Sequence, residues 1–136
     1  MDMFENLETD RLYLKIIDRE DRVFTYSQFS DDTVNKYLYD AEPLTDIYGA
    51  DEIIEFYTIP EPRTQNRWII IRKSDNKKMG TCGFHCWDKK VGKVDVGYDL
   101  KEEFRSNGYM QEAMKEIIKF AKEKMCVNEV CSCISV

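Results

Sequence analysis

The feature that most constrains this chain is a change of hydrophobic period just after Phe104. Past that point Met110, Ala113, Met114, Ile117, Ile118, Ala121 and Met125 recur at helical spacing, while Gln111, Glu112, Lys115, Glu116, Lys119, Lys122 and Glu123 fill the positions between them. That spacing predicts one amphipathic helix, and its lysine-rich end suits the negative pole of the helix dipole. Ahead of Phe104 the signals are those of strands. Arg67-Trp-Ile-Ile-Ile-Arg, Lys78-Met-Gly-Thr-Cys-Gly-Phe-His-Cys-Trp and Gly92-Lys-Val-Asp-Val-Gly-Tyr-Asp-Leu are rich in branched and aromatic residues. Turn signals at Ser74-Asp75-Asn76-Lys77, and at Asp88-Lys89-Lys90 before Gly92, join them into an antiparallel meander.

The flanks extend this pattern. Arg11-Leu-Tyr-Leu-Lys-Ile-Ile alternates Leu12, Leu14 and Ile16 on one face, the mark of a half-buried strand. Asp18, with Asp21 three residues on, resembles a helix start ahead of Val23, Phe24 and Tyr26. Thr45 is placed to cap a helix whose Ile47, Ala50, Ile53, Ile54 and Tyr57 form one stripe, ended by Pro60 and Pro62. Val127-Asn-Glu-Val-Cys-Ser-Cys-Ile-Ser-Val reads as a last strand. No repeat or linker intervenes, so residues 1–136 read as a single α/β (α+β) domain with a mixed, mostly antiparallel sheet flanked by helices. A chain of this length buries roughly two thirds of its unfolded surface, enough for a core without staples.

Charge narrows the partners. Twenty basic against 26 acidic side chains give a net charge of −6, which argues against nucleic acid and anionic lipid. No apolar run approaches the roughly 20 residues of a membrane span, and the acidic start is unlike a signal peptide, so a cytoplasmic location is expected. Five cysteines, Cys82, Cys86, Cys126, Cys131 and Cys133, lie in apolar stretches with no Cys-x-x-Cys pair. Reduced, buried thiols are expected, and no metal, because Cys82, His85 and Cys86 lack a second knuckle.

The stretch with chemical content runs from Asp95 to Met114. A strand ending at Leu100 passes through Arg105-Ser-Asn-Gly-Tyr-Met into the long helix. Turn-prone Ser106, Asn107 and Gly108 at a helix entrance leave backbone N–H groups converging where the dipole is positive, a cradle for phosphate. The alternative is an ordinary helix start capped by Asn107. A Walker loop is excluded because no Gly-Lys-Ser/Thr follows, and a dinucleotide fingerprint lacks its glycines.

Val94-Asp-Val-Gly-Tyr-Asp-Leu-Lys-Glu-Glu-Phe-Arg-Ser-Asn-Gly-Tyr-Met-Gln-Glu-Ala resembles the core motif of the GNAT superfamily of acetyl-CoA-dependent N-acetyltransferases, most closely its RimJ/RimL-like subgroup. Glu8-Thr-Asp-Arg-Leu-Tyr-Leu and Met79-Gly-Thr-Cys-Gly-Phe-His match further strands of that subgroup in the same order. In the family signature Gln/Arg-x-x-Gly-x-Gly/Ala, Arg105 and Gly108 match and Met110 replaces the last small residue. The resemblance implies that the amides of Arg105, Ser106, Asn107, Gly108, Tyr109 and Met110 hold the diphosphate of acetyl-CoA. It also implies that Leu100, and less securely Tyr98, offer main-chain groups to the pantetheine arm, which pairs like a peptide with a strand edge. Gly97 would supply the bulge that opens that edge.

The resemblance places Asp95 where many relatives carry a general-base glutamate, against the plainer reading of a solvated carboxylate. A base at His85 and a nucleophile at Cys82 or Cys86 are weaker readings, because alternation sets His85 opposite both cysteines. Relatives continue with a further helix and strand, so a C-terminally incomplete GNAT-like fold is expected, with an apolar terminal edge open to homodimer pairing. The implied activity is acetyl transfer to a primary amine, on a small molecule or peptide N-terminus. The other reading is a non-catalytic acyl-CoA-binding or self-associating module.

Overall fold

The computed structural model describes residues 3–30 and 46–132. Six strands form one sheet in the order β1 (Leu7–Glu8), β2 (Leu12–Ile16), β3 (Asn66–Arg72), β4 (Lys77–Asp88), β5 (Lys93–Leu100) and β6 (Glu129–Ser132). Neighbours run antiparallel from β1 to β5, while β5 and β6 are parallel. The exception follows from the helix predicted after Phe104: α3 (Tyr109–Lys124) carries the chain back before β6 begins, as a parallel pair requires. Between β2 and β3 lie α1 (Arg22–Phe29) and α2 (Ile47–Tyr57).

Each sheet face has its own cover. Toward α3 the strands send Leu12, Leu14, Trp68, Ile70, Cys82, Phe84, Val94 and Val96, packed with Ala113, Ile117, Phe120 and Ala121. Phe120 was not part of the predicted stripe, yet it stacks on Phe4 (6.0 Å) and meets Trp68 edge-on (5.7 Å). The other face buries Ile17, Ile54 and Ile69.

Two register shifts in the pairing of β4 correct the expectation of a bulge at Gly97. They fall opposite Ile70/Ile71 and between His85 and Asp88, where Cys86 takes φ 54°. Gly97 instead pairs squarely with Gly83. The expectation of buried thiols also fails in part. Cys82 is buried, but Cys86 and Cys126 are exposed and Cys131 is partly so. Cys86 and Cys126 (φ 55°) occupy left-handed positions that end regular packing, one at the shift and one just past α3. Cys133 and Thr45 lie outside the described residues; α2 is capped by the Asp46 carboxylate, which accepts from Gly49 N–H.

The predicted Asp18/Asp21 helix start forms a reciprocal capping box, and Asp21 is fully buried. Lys15 Nζ (2.8 Å), Lys78 Nζ (2.7 Å) and Asp18 N–H (2.9 Å) donate to it. Burial alone would raise this carboxyl, but the lysine donors outweigh it and hold Asp21 below the usual carboxylate range. The stabilisation is therefore present above the unfolded pKa and is lost as pH falls through the folded one. Asp21→Asn is expected to cost about 2 kcal/mol near neutral pH. In urea melts, that deficit should shrink below about pH 4.

Candidate active site

β5 delivers the chain to α3 through a joint with two left-handed residues. A single turn at Glu102–Phe104 is followed by Ser106 (φ 67°) and Gly108 (φ 78°), and α3 starts at Tyr109. Such alternation curves successive N–H groups into a concave nest. The Arg105 N–H donates to Glu102 O at 3.1 Å, so that amide belongs to the turn. No amide from Ser106 to Met110 donates to a protein acceptor among the described residues. Asn107 is not the cap: its side-chain amide donates to Phe104 O (3.2 Å) and Arg105 O (3.1 Å), and Gly108 stands at the cap position with no side-chain bond. Ser106, Asn107 and Gly108 are exposed. The residues present thus fit a diphosphate, because its oxygens can meet a run of free donors at the positive end of a 16-residue helix.

The main-chain direction of β5 is fixed at both ends. Lys101 N–H donates to Met79 O of β4, and Gly92 O accepts from Asn128 and Glu129 at the entry to β6. With a two-residue period, the groups of Tyr98 and Leu100 point to the β6 side. Arg105 Nε already donates to Leu100 O at 3.1 Å, leaving that carbonyl one further lone pair.

A brace that sequence reasoning missed holds this joint. Glu112 on α3 accepts from the Thr9 hydroxyl, from Arg11 N–H (3.0 Å) and from Arg11 Nε (2.7 Å). Burial pushes the Glu112 carboxyl up, but these donors more than offset it and keep it below its usual range. The Arg11 guanidinium then reaches Asn107 O (3.1 Å), lies 4.5 Å above the Tyr109 ring, and stands 3.4 Å from where a Gly108 side chain would begin. A cation is therefore fixed beside the nest. The only signal was Arg11 in the Glu8-Thr-Asp-Arg-Leu stretch; no local spacing links it to a residue 101 positions away.

The opposite sheet face carries a second polar group. His85 pairs directly with Asp95, and Asp95 with Cys131 of β6. Arg67 is buried and donates to Thr81 Oγ1 (2.6 Å), Asp99 Oδ2 (2.8 Å) and the Tyr57 hydroxyl (3.2 Å). Asp99 accepts as well from Gln28 Nε2, Thr81 Oγ1 and Thr81 N–H. Burial opposes the charge on Arg67, but Tyr57 and Asp99 more than compensate and its pKa is raised. His85 is shifted down, first by burial and further by Arg67, with Asp95 pulling the other way. Burial pushes the Cys82 thiol up to about 12, which removes it as a nucleophile at neutral pH. The structure thus places Asp95 on the face away from α3, and the nest at the end of the same strand.

Among the described residues, then, a six-stranded mixed sheet with one parallel pair carries an open nest where β5 enters α3. The chain belongs to the GNAT family of N-acetyltransferases: residues 11–136 match the acetyltransferase (GNAT) domain. A Bacillus licheniformis protein named uncharacterized N-acetyltransferase p20 is 32% identical over 127 residues, covering 93% of this chain and 71% of that protein. The uncharacterized N-acetyltransferase YoaA of Bacillus subtilis is 32% identical over 129 residues, 94% of this chain and 72% of its own. Among solved structures, a GNAT-family acetyltransferase from Bacillus anthracis superposes with a TM-score of 0.76 at 16% identity, over 93% of this chain and 72% of that one. Spermidine N-acetyltransferase from Vibrio cholerae, solved in complex with CoA and spermine, gives 0.78 at 11% identity, over 90% and 70%. No helix among the described residues is long and apolar enough to cross a membrane.

Proposed function

We propose that this chain uses acetyl-CoA to acetylate a primary amine, with residues 1–136 acting as one acetyltransferase-like domain of RimJ/RimL-like type. The reading is carried by the row of amides from Ser106 to Met110, without protein acceptors among the described residues, beside the Arg11 guanidinium. In this reading Ser106, Asn107, Gly108, Tyr109 and Met110 bind the diphosphate through backbone. Arg105 contributes its side chain at Leu100 O rather than its amide. Tyr98 and Leu100 orient the pantetheine arm along the β6-facing edge of β5. Acetyl-CoA supplies an activated thioester carbonyl, and much of the rate comes from holding an amine against it. Asp95 serves the proton-removal step from the floor of the acceptor side.

The net charge of −6 favours a cationic acceptor by steering encounter. No metal takes a role, the location is cytoplasmic, and β6 is the edge at which two copies would pair. Titration calorimetry with acetyl-CoA, followed by thiol release with a panel of polyamines, amino sugars and peptide N-termini, tests the reading. Absence of binding by the folded chain defeats it. Binding with persistent zero turnover favours a non-catalytic acyl-CoA module instead, and light scattering reads the dimer.

Gly108→Val is expected to weaken acetyl-CoA binding about tenfold or more, because it crowds a φ of 78° and the Arg11 guanidinium 3.4 Å away. Unchanged affinity in a folded variant would misplace the phosphate site.

A further inference from the structure

We propose that His85 is the immediate proton acceptor in amine acetylation and that Asp95, directly across the ladder, holds the imidazolium that forms; the proposal rests on the reading above. The two residues are register partners on β4 and β5, which brings their Cβ atoms within about 5 Å. Both are half-buried, on the face away from α3. Gly97, one step further along that face, is buried and puts no side chain between His85 and Arg67. A Cβ there would stand 3.6 Å from His85 Cε1 and 3.6 Å from Arg67 Nη1. Imidazole and guanidinium therefore flank a position with no side chain of its own, and Asp95 faces His85 across the ladder.

Among the described residues, charged and titratable groups near His85 come from three strands and a helix. β5 presents Asp95 and Asp99, and β3 presents Arg67, tied to Tyr57 of α2. β6 brings Cys131 against Asp95. Burial and the Arg67 cation shift the imidazole toward its neutral form, the one able to take a proton. Asp95 opposes them, so a proton arriving from an ammonium finds a carboxylate ready to stabilise it. The step balances as follows. An acceptor ammonium gives one proton to His85, and the freed nitrogen lone pair forms the C–N bond to the thioester carbonyl. The C–S bond breaks, and the second nitrogen proton ends on the departing thiolate. The imidazolium returns its proton to solvent.

His85 is the one histidine in the chain, so its C2–H proton is a single NMR signal in the intact protein. Asp95→Asn is expected to lower the His85 pKa by about half a unit or more, and to move the acid limb of the kcat/KM profile down with it. His85→Gln should lower kcat about 100-fold while leaving the acetyl-CoA dissociation constant within about twofold. Free imidazole should restore part of the rate to His85→Ala, which a merely structural role would not allow. A His85→Gln protein that keeps more than about a third of kcat overturns the proposal, as does a His85 titration indifferent to Asp95→Asn. A wild-type chain that binds acetyl-CoA but acetylates no amine also overturns it and leaves the cofactor site standing. Failure to bind acetyl-CoA instead strikes the underlying reading.

Discussion

Arg67→Met is expected to destabilise the protein by about 3–5 kcal/mol, read as a lowered urea midpoint. Arg67 is the cation of a buried pair, with side-chain exposures of 6% for Arg67 and 1% for Asp99. Removing it leaves Asp99 charged with only the neutral donors of Gln28 and Thr81. Methionine restores the apolar stem but no charge. Asp99→Asn strands the cation instead, while the double variant removes both charges and keeps an acceptor for the amide and hydroxyl donors. The double should therefore lose less than the sum of the singles, by about 1 kcal/mol or more. Additive losses, or an Arg67→Met cost below about 1 kcal/mol, would mean that the pair does not anchor the sheet face away from α3.

Gly80→Ala should be nearly as damaging, at about 3 kcal/mol, for a steric reason. Gly80 pairs with Leu100, and a Cβ there would lie 2.1 Å from Asp99 O and 2.8 Å from Leu100 Cα, both backbone atoms. β4 and β5 would have to part where β5 turns toward the nest, so acetyl-CoA binding should weaken together with stability. Gly97→Ala is the control on the same strand pair. Its nearest neighbours stand at 3.6 Å, an ordinary contact, and its φ is not left-handed, so the stability change should stay below about 1 kcal/mol. Similar losses at the two positions would show that general strand propensity, rather than close approach of the backbones, governs the pair.

The contrast between these glycines marks what the sequence could reveal. Period told helix from strand: α3, the β3 to β5 meander and the strand through Leu12 and Leu14 fall where alternation and helical spacing place them. Register shifts left no such trace. The displacement at Cys86 is a choice of backbone angles that adds one residue to β4 relative to β5, and it exposes a thiol expected inside. Distant pairings were equally silent. Arg67, Thr81, Asp99, Gln28 and Tyr57 meet only because the sheet and two helices bring them together. Period two does set Asp95, Gly97 and Asp99 on one face, which was the legible part of that network. At the nest, residue type predicted the turn but not which amides the turn would consume. The Glu102 carbonyl takes Arg105 and leaves the next five.

Backbone amide NMR of the labelled chain during titration with coenzyme A addresses those five residues one by one. A diphosphate seated in the nest should move the Ser106, Asn107, Gly108, Tyr109 and Met110 resonances most, with smaller changes at Tyr98 and Leu100, and saturate together. Saturable shifts that cluster elsewhere and leave those amides in place would contradict the account.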